Sequence, residues 1–431
     1  MQVKIDFTKT IGEIKPMHAV NRPPILGTDF SMFKYLKQAG IPFARLHDVG
    51  GVYGAFRWVD VPNIFRDFNA DPYKEESYDF AFTDLLIMAL IENGVEPFFR
   101  LGVTIETGSA IKAYRIFPPA DYQKWAIVCE HIILHYTQGW ANGFNYSIRY
   151  WEIWNEPDNY EDPLENHMWQ GSKEQYYEFY AVASKHLKNR FPHLKIGGYS
   201  SCGFYDLQKS FVKEANSSPR FEYFINFFDG FLDYIKNNNC PLDFFSWHSY
   251  DTIQNNLIYA SYAKKRLEEA GYSHTETTLN EWNCEPNARG TYRHMALTAG
   301  MMLALQNSAL DSAMFYHAEV SVGTYGGLFN PLTRQPFPAY YAFTAFNKLY
   351  QAKNQVYIDG VEQGVYALAA TDGQKGYLVI TNTKDQDISL DFQTGAKIEK
   401  YLLTADGFTE QEIEFNGVLP KESLLVVEFN V

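Results

Sequence analysis

The stretch YWEIWNEP, residues 150–157, closes a run of aromatic and β-favouring residues with an amide and a carboxylate, Asn155 and Glu156. The theme returns in TTLNEWN, residues 277–283, with Asn280 and Glu281. Two such acids suit the breaking of a glycosidic bond. One protonates the departing oxygen, and the other attacks the anomeric carbon or activates water. With the carboxyls about 5 to 5.5 Å apart the second acts as nucleophile and configuration is retained; a wider gap inverts it.

For Glu156 and Glu281 to meet, the elements that carry them must converge. From residue 15 onward, apolar strand-like runs alternate with longer amphipathic stretches. MHAVN precedes TDFSMFKYLKQAG, PFARLH precedes DFAFTDLLIMALIENG, and EPFFRLG precedes DYQKWAIVCEHIILHYT. IRYWEIWNEP leads into KEQYYEFYAVASKHLKNR, LKIGGYS into FEYFINFFDGFLDYIKNN, and LDFFSWHSY into NLIYASYAKKRLEEAG. ETTLNEW and SAMFYHA begin the last two units. Eight strand–helix units predict an α/β chain closed into a (β/α)8 TIM barrel over residues 15–350. Gly94, Asn239 and Gly271 are placed to stop helices just before the next strand.

In such barrels the chemistry gathers at the C-terminal ends of the strands. Strand two then delivers Arg45, His47 and Asp48, strand three Arg100, and strand four Asn155 and Glu156. Strand six delivers His248 and Tyr250, strand seven Asn280 and Glu281, and strand eight Tyr316, His317 and Glu319. Glu152 shares alternation parity with Trp154 and Glu156, so it is expected inside the barrel as a paired structural carboxylate. Trp125, Phe179 and Tyr180 read as helix residues of the core.

Beyond residue 350 the helical period stops. GVYALAATD, GYLVITNT, ISLDFQ, IEKYLLT and LLVVEFN are short strands between turn signals, and residues 351–431 are expected to form a small antiparallel β-sandwich domain. The opening strand MQVKIDF, within residues 1–14, is expected to join it.

The 431-residue chain is 46% hydrophobic and carries a net charge of −14, which argues against nucleic acid or an anionic membrane surface as partner. Its 31 Tyr and 33 Phe fill a core and also suit a cleft that stacks on sugar rings. Cys129, Cys202, Cys240 and Cys284 are scattered, with no zinc spacing and no disulfide framework. No metal and no cofactor are expected. MQVKIDFTKT lacks the apolar stretch of a leader, and no run of about 18 apolar residues marks a membrane span. A soluble protein is expected; its location and its oligomeric state stay open, because a removed leader leaves the same pattern.

Trp154-Asn155-Glu156-Pro157 resembles the Asn-Glu-Pro signature of the retaining clan A glycoside hydrolases, and Arg45-Leu46-His47 and His248-Ser249-Tyr250 are similar to motifs of glycoside hydrolase family 39. The resemblance implies double displacement on an oligo- or polysaccharide with a β-linked bond. Glu156 would be the acid/base, protonated at rest because anionic Glu281 raises its pKa, and Glu281 the nucleophile. It further implies that Asn155 binds the sugar 2-hydroxyl, that Arg45 and Tyr250 hold Glu281 ionised, and that His47 and His248 contact substrate or these carboxylates. The family's eighth-strand Trp is missing, so Phe315, Tyr316 or His317 would floor the sugar subsite. Two other readings stand beside this one: another clan A glycosidase, endo-glucanase-like or arabinofuranosidase-like, and a carbohydrate-binding barrel without catalysis. A metal-dependent barrel hydrolase would need clustered His and Asp ligands, and the first strand offers a single His.

Overall fold

Runs such as FFSWHS and SAMF are buried at every position because a parallel strand ringed by helices is covered on both faces. In the computed structural model, which describes residues 1–25, 30–49, 57–106, 115–208, 219–321, 323 and 325–431, eight such strands close a parallel barrel. They are Ala19–Asn21, Phe43–Leu46, Glu96–Leu101, Tyr150–Ile153, Lys195–Ser201, Phe244–Ser249, Glu276–Trp282 and Ser312–Phe315, hereafter the first to eighth barrel strands. Each pairs with the next, and the first closes on the eighth through Val20 and Phe315.

The helices behind the strands follow the sequence pattern closely. Lys173–Arg190 starts with a capping box, in which Ser172 accepts from the Gln175 N–H and Gln175 reaches back to the Ser172 N–H. Asn239 and Gly271 take left-handed backbone, with φ of 51° and 93°, where the chain leaves a helix for the next strand. Thr28 and Asp29, expected in the first helix, lie outside the described residues; the helix found there is Phe33–Gln38. Trp125, Phe179 and Tyr180 are buried in the core, as expected.

The barrel interior is stacked in layers. At its lower end Ala19, Phe43, Phe98, Phe244 and Met314 form an apolar plug. Above it lies a polar layer around Glu152, which is fully buried. Its Oε1 accepts from Ser200 Oγ at 2.7 Å, Ser246 Oγ at 2.6 Å and Asn280 Nδ2 at 2.6 Å, and its Oε2 accepts from Arg45 Nε at 2.7 Å. A buried carboxylate persists only when it is paired and hydrogen-bonded. Glu152 is.

After the last barrel helix, Pro338–Ala352, an eight-stranded, mostly antiparallel sheet begins at Asn354. The long first strand of the chain, Gln2–Glu13, pairs antiparallel with Asn354–Asp359 and parallel with Asp391–Gln393. This sheet is buried on both faces. Val379, Leu424 and Val426 join the core of the barrel helices, whereas Leu378, Ile380, Leu425, Val427 and Phe429 belong to a second core capped by the ribbon of Ile388–Ser389 and Val418–Leu419. The second layer of the sandwich is thus a two-stranded ribbon. Among the described residues no helix is long and apolar enough to cross a membrane.

Candidate active site

The fourth strand ends at Ile153, and the chain then turns sharply. Trp154 and Glu156 both adopt left-handed backbone, with φ of 73° and 41°, a conformation that non-glycine residues keep only when their surroundings impose it. Here the Trp154 N–H donates to the Leu101 carbonyl at 2.8 Å, the Glu156 N–H to the Ser200 carbonyl at 3.0 Å, and the Trp154 indole N–H to the Met168 carbonyl at 2.9 Å. The turn throws Glu156 over the barrel mouth. Glu281 reaches the same place from the seventh strand, whose register sets it beside His248 of the sixth.

The two glutamates and His248 each offer one ligating atom such that all three atoms lie within 4.8 Å of one another. His248 Nδ1 is 2.7 Å from Glu156 Oε1 and 3.5 Å from Glu281 Oε2. Such a trio has the spacing to hold a cation. Yet Arg45 Nη1 already donates to Glu281 Oε1 at 2.7 Å, and a fixed guanidinium at that range repels a metal ion.

Arg45 is the centre of the arrangement. Fully buried, it donates to Glu152 and Glu281, to Asn155 Oδ1 at 2.6 Å and to Ser200 Oγ at 2.7 Å. A guanidinium can only donate, so the Asn155 atom facing it is the oxygen, and the Asn155 amide is the end left to address the cavity that it lines. Tyr250 Oη donates to Glu281 Oε2 at 2.8 Å, and Asn21 Nδ2 reaches Glu281 Oε1 at 3.4 Å. Burial and the Glu281 charge hold the Tyr250 phenol well above its usual range, so it stays a donor.

Protonation differs from the sequence expectation. Burial alone would raise the Glu156 pKa, but the His248 hydrogen bond and charge, with Arg220 and a 3.0 Å bond from Asn159 Nδ2, outweigh it and bring the pKa below its ordinary value. Burial likewise opposes charge on His248, and the two glutamates overcome it and raise the imidazole. The two shifts run in opposite senses and favour an ionised Glu156 beside a charged His248 across their 2.7 Å contact. His248 thus stands between the two carboxylates, one of the two contacts that the resemblance implied for it.

The other expected residues fall around this centre. His47 and Tyr316 line the cavity, but neither bonds to Glu156 or Glu281. His47 Nε2 sits 3.1 Å from Asp48 Oδ1, and burial beside Arg100 and Arg45 keeps this imidazole neutral. Tyr316 Oη accepts from Arg22 Nη1 at 3.0 Å and lies 3.4 Å from Asp48 Oδ2; Arg22 also pairs with Glu319. Burial, only partly offset by Arg22, raises Asp48 to about 6 and Glu319 to about 7. Arg100 stays out of the cavity in a buried pair with Asp60, at 2.7 Å.

The cavity measures about 410 Å³ and is also lined by Ile105, Asn159, Arg220, Phe221, Phe224 and Tyr325. Sequence reasoning missed Asn21, Asn159, Arg220 and Tyr325. Asn21 ends the first barrel strand and could have been found by the strand-end rule that found Arg45. Tyr325 packs on Tyr250 and Tyr316, with ring centroids 4.7 Å and 5.7 Å away, from a loop that carries no strand signal. It supplies an aromatic wall near the position where the family's Trp is missing.

Residues 43–282 match the family described as Glycosyl hydrolases family 39. A β-xylosidase of Geobacillus stearothermophilus is 23% identical over 329 residues, a match that spans 67% of this chain and 60% of that relative's length. A β-xylosidase of Caldicellulosiruptor saccharolyticus is 24% identical over 427 residues, covering 89% and 78%. Among solved structures, a glucosidase from Croceicoccus marinus superposes with a TM-score of 0.80 at 20% identity over all of this chain and 98% of that one. A family 39 β-xylosidase from Caulobacter crescentus gives 0.71 at 14% identity over the full length of both chains. At such identities the structural likeness speaks for the fold.

Proposed function

The chain belongs to glycoside hydrolase family 39 and is a glycosidase; from that premise we propose that it cleaves β-D-xylosides with retention, with Glu281 as nucleophile and Glu156 as acid/base. The observation that carries this reading is the approach of two carboxylates at one cavity. An oxygen of each lies within 4.8 Å of one of the other, close enough for both to reach one glycosidic bond and in keeping with a retaining pair. The sugar is taken from the two β-xylosidase relatives.

Each residue then has a task. Arg45 and Tyr250 keep Glu281 ionised and aimed, and Glu281 attacks the anomeric carbon as the C–O bond breaks. The proton shared by Glu156 and His248 moves through Glu156 to the departing oxygen. Formation of the glycosyl ester removes the Glu281 charge that favours imidazolium, which loosens that proton at the moment of transfer. Glu156, now ionised, takes a proton from water, and the water releases the sugar. Asn155, fixed by Arg45, meets the sugar 2-hydroxyl, a contact that tightens as oxocarbenium character grows. His47 and Tyr316 line the side where the cleaved sugar rests.

Two experiments test the assignment. A 2-fluoro-xylosyl inactivator is expected to label Glu281, and a label mapped to any other peptide refutes it as nucleophile. Glu156→Ala is expected to keep slow turnover of 4-nitrophenyl β-D-xyloside and to yield β-xylosyl azide when azide is added. Loss on every substrate with no azide product rejects Glu156 as acid/base. Running the β-D-glucoside in parallel tests the choice of sugar.

A further inference from the structure

Three arginines around the reaction centre are matched with acids. Arg45 meets Glu152 and Glu281, Arg22 meets Glu319, and Arg100 meets Asp60. Arg220, at the start of the helix Pro219–Asn237, differs. It lines the cavity, and its Nε donates to the Asn159 carbonyl at 2.8 Å. The guanidinium carbon lies over Tyr160, 4.1 Å from the ring centroid, with the Phe224 centroid at 5.4 Å. Its two terminal nitrogens have no hydrogen-bond partner, and no carboxylate pairs with it, among the described residues. In a chain with 51 acidic residues against 37 basic ones, a cavity arginine that meets Glu156 only through its longer-range charge, with no carboxylate at ion-pair distance among the described residues, keeps donors for something that arrives from outside.

The side of the cavity on which it stands decides what arrives. Glu281 is gripped from the first, second and sixth strands through Asn21, Arg45 and Tyr250. The cleaved sugar's anomeric carbon must lie there. Glu156 faces the departing oxygen, and the groups gathered on its other flank come after the fourth and fifth strands: Asn159, Cys202, Arg220, Phe221 and Phe224. Asn159 bonds Glu156 with its side chain and Arg220 with its carbonyl, so the guanidinium is one residue removed from the acid.

Resting on the acid/base assignment above, we propose that this flank is a leaving-group subsite in which Arg220 takes a carboxylate, so that the preferred aglycone is acidic: a uronate sugar or a carboxylated phenol. A planar guanidinium held over an aromatic ring, with its terminal nitrogens left to donate, suits a carboxylate, and the neighbouring Phe221 and Phe224 line the same flank with apolar rings.

The test compares substrates differing only in that charge. One pair is 4-carboxyphenyl β-D-xyloside and its methyl ester; the other is a xylosyl-glucuronic acid and the corresponding xylosyl-glucose. For each pair the ratio of kcat/KM, acid over neutral, is measured in the wild type and in Arg220→Met. Replacing the guanidinium is expected to lower this ratio roughly 10- to 100-fold, mainly through KM, with Arg220→Lys recovering part of it. A change in the phenol pair alone assigns the subsite to carboxylated phenols; a change in the sugar pair alone assigns it to uronates. A ratio that is the same in wild type and variant for both pairs overturns the proposal, even if both rates fall together through Asn159. If the wild type hydrolyses neither neutral substrate, the xyloside reading fails separately. Arg220 is then tested by fluorescence titration with free 4-hydroxybenzoate against 4-hydroxybenzamide, and equal affinity in the wild type rejects the subsite.

Discussion

His248 is the residue on which the pH behaviour turns. Glu281 and Glu156 outweigh burial and raise its imidazole, so on the proposed mechanism the proton for leaving-group departure is expected to be held above the ordinary histidine range and lost beyond it. In His248→Asn that proton must reside on Glu156 alone, and the alkaline limb of kcat/KM is expected to move toward acid. An unmoved limb rejects the shared proton. Asp158 offers a matching test in stability. Burial raises it to about 7 against hydrogen bonds from Ser201 and Cys202, so the folded chain binds its proton more tightly than the unfolded chain does. Its contribution is complete below the unfolded pKa of 3.8 and is lost as pH climbs through about 7. Asp158→Asn removes that loss, so its Tm relative to wild type is expected to improve between pH 5 and pH 8. A constant difference counts against the assignment. At this scale the sequence was legible where a motif stood at a strand end: Glu156, Glu281, Arg45, His248 and Tyr250 converge. It was silent where a side chain comes from beyond the strand ends, as for Tyr325 in a loop and Arg220 at a helix start, and it left open the role of Arg100, which pairs with Asp60.

Strands and helices were more legible, because each is written as a run with its own stop. The helix Lys173–Arg190 begins at the residue the pattern indicates, since Ser172 and Gln175 form the cap in local sequence. Two glycines separate the uses of that residue. Gly271 ends a helix at φ 93° with open space where a Cβ would stand, so Gly271→Ala is expected to cost only roughly 1–2 kcal/mol. A Cβ on Gly197, in the fifth strand, would fall 2.1 Å from the Phe244 carbonyl oxygen of the sixth. Gly197→Ala is therefore expected to unfold the chain or leave it insoluble, and thermal melts of the two variants side by side check the contrast. Nothing in KIGGYSS announces that difference; it arises only when two strands are pressed together.

Across the whole molecule, the barrel and the sheet share apolar faces. Leu368, Val379, Leu424 and Val426 turn toward the barrel helices, and Lys348 of the last barrel helix donates to Glu428 of the sheet at 3.0 Å. Removing residues 354–431 would bare that face, and the truncated chain is expected to aggregate and not to melt as an intact barrel; a soluble, active fragment would contradict this. The two-sided strands GYLVITN and LLVVEFN read simply as apolar, so their division between two cores was not visible before the sheet was assembled. A last consequence follows from Arg45 being braced by a second acid. If Glu281 is exchanged for glycine, the guanidinium still keeps Glu152 as its counter-ion, and no naked charge is stranded in the interior. Such a protein should remain intact while unable to hydrolyse, and, supplied with an α-xylosyl fluoride, it becomes a tool for joining sugars.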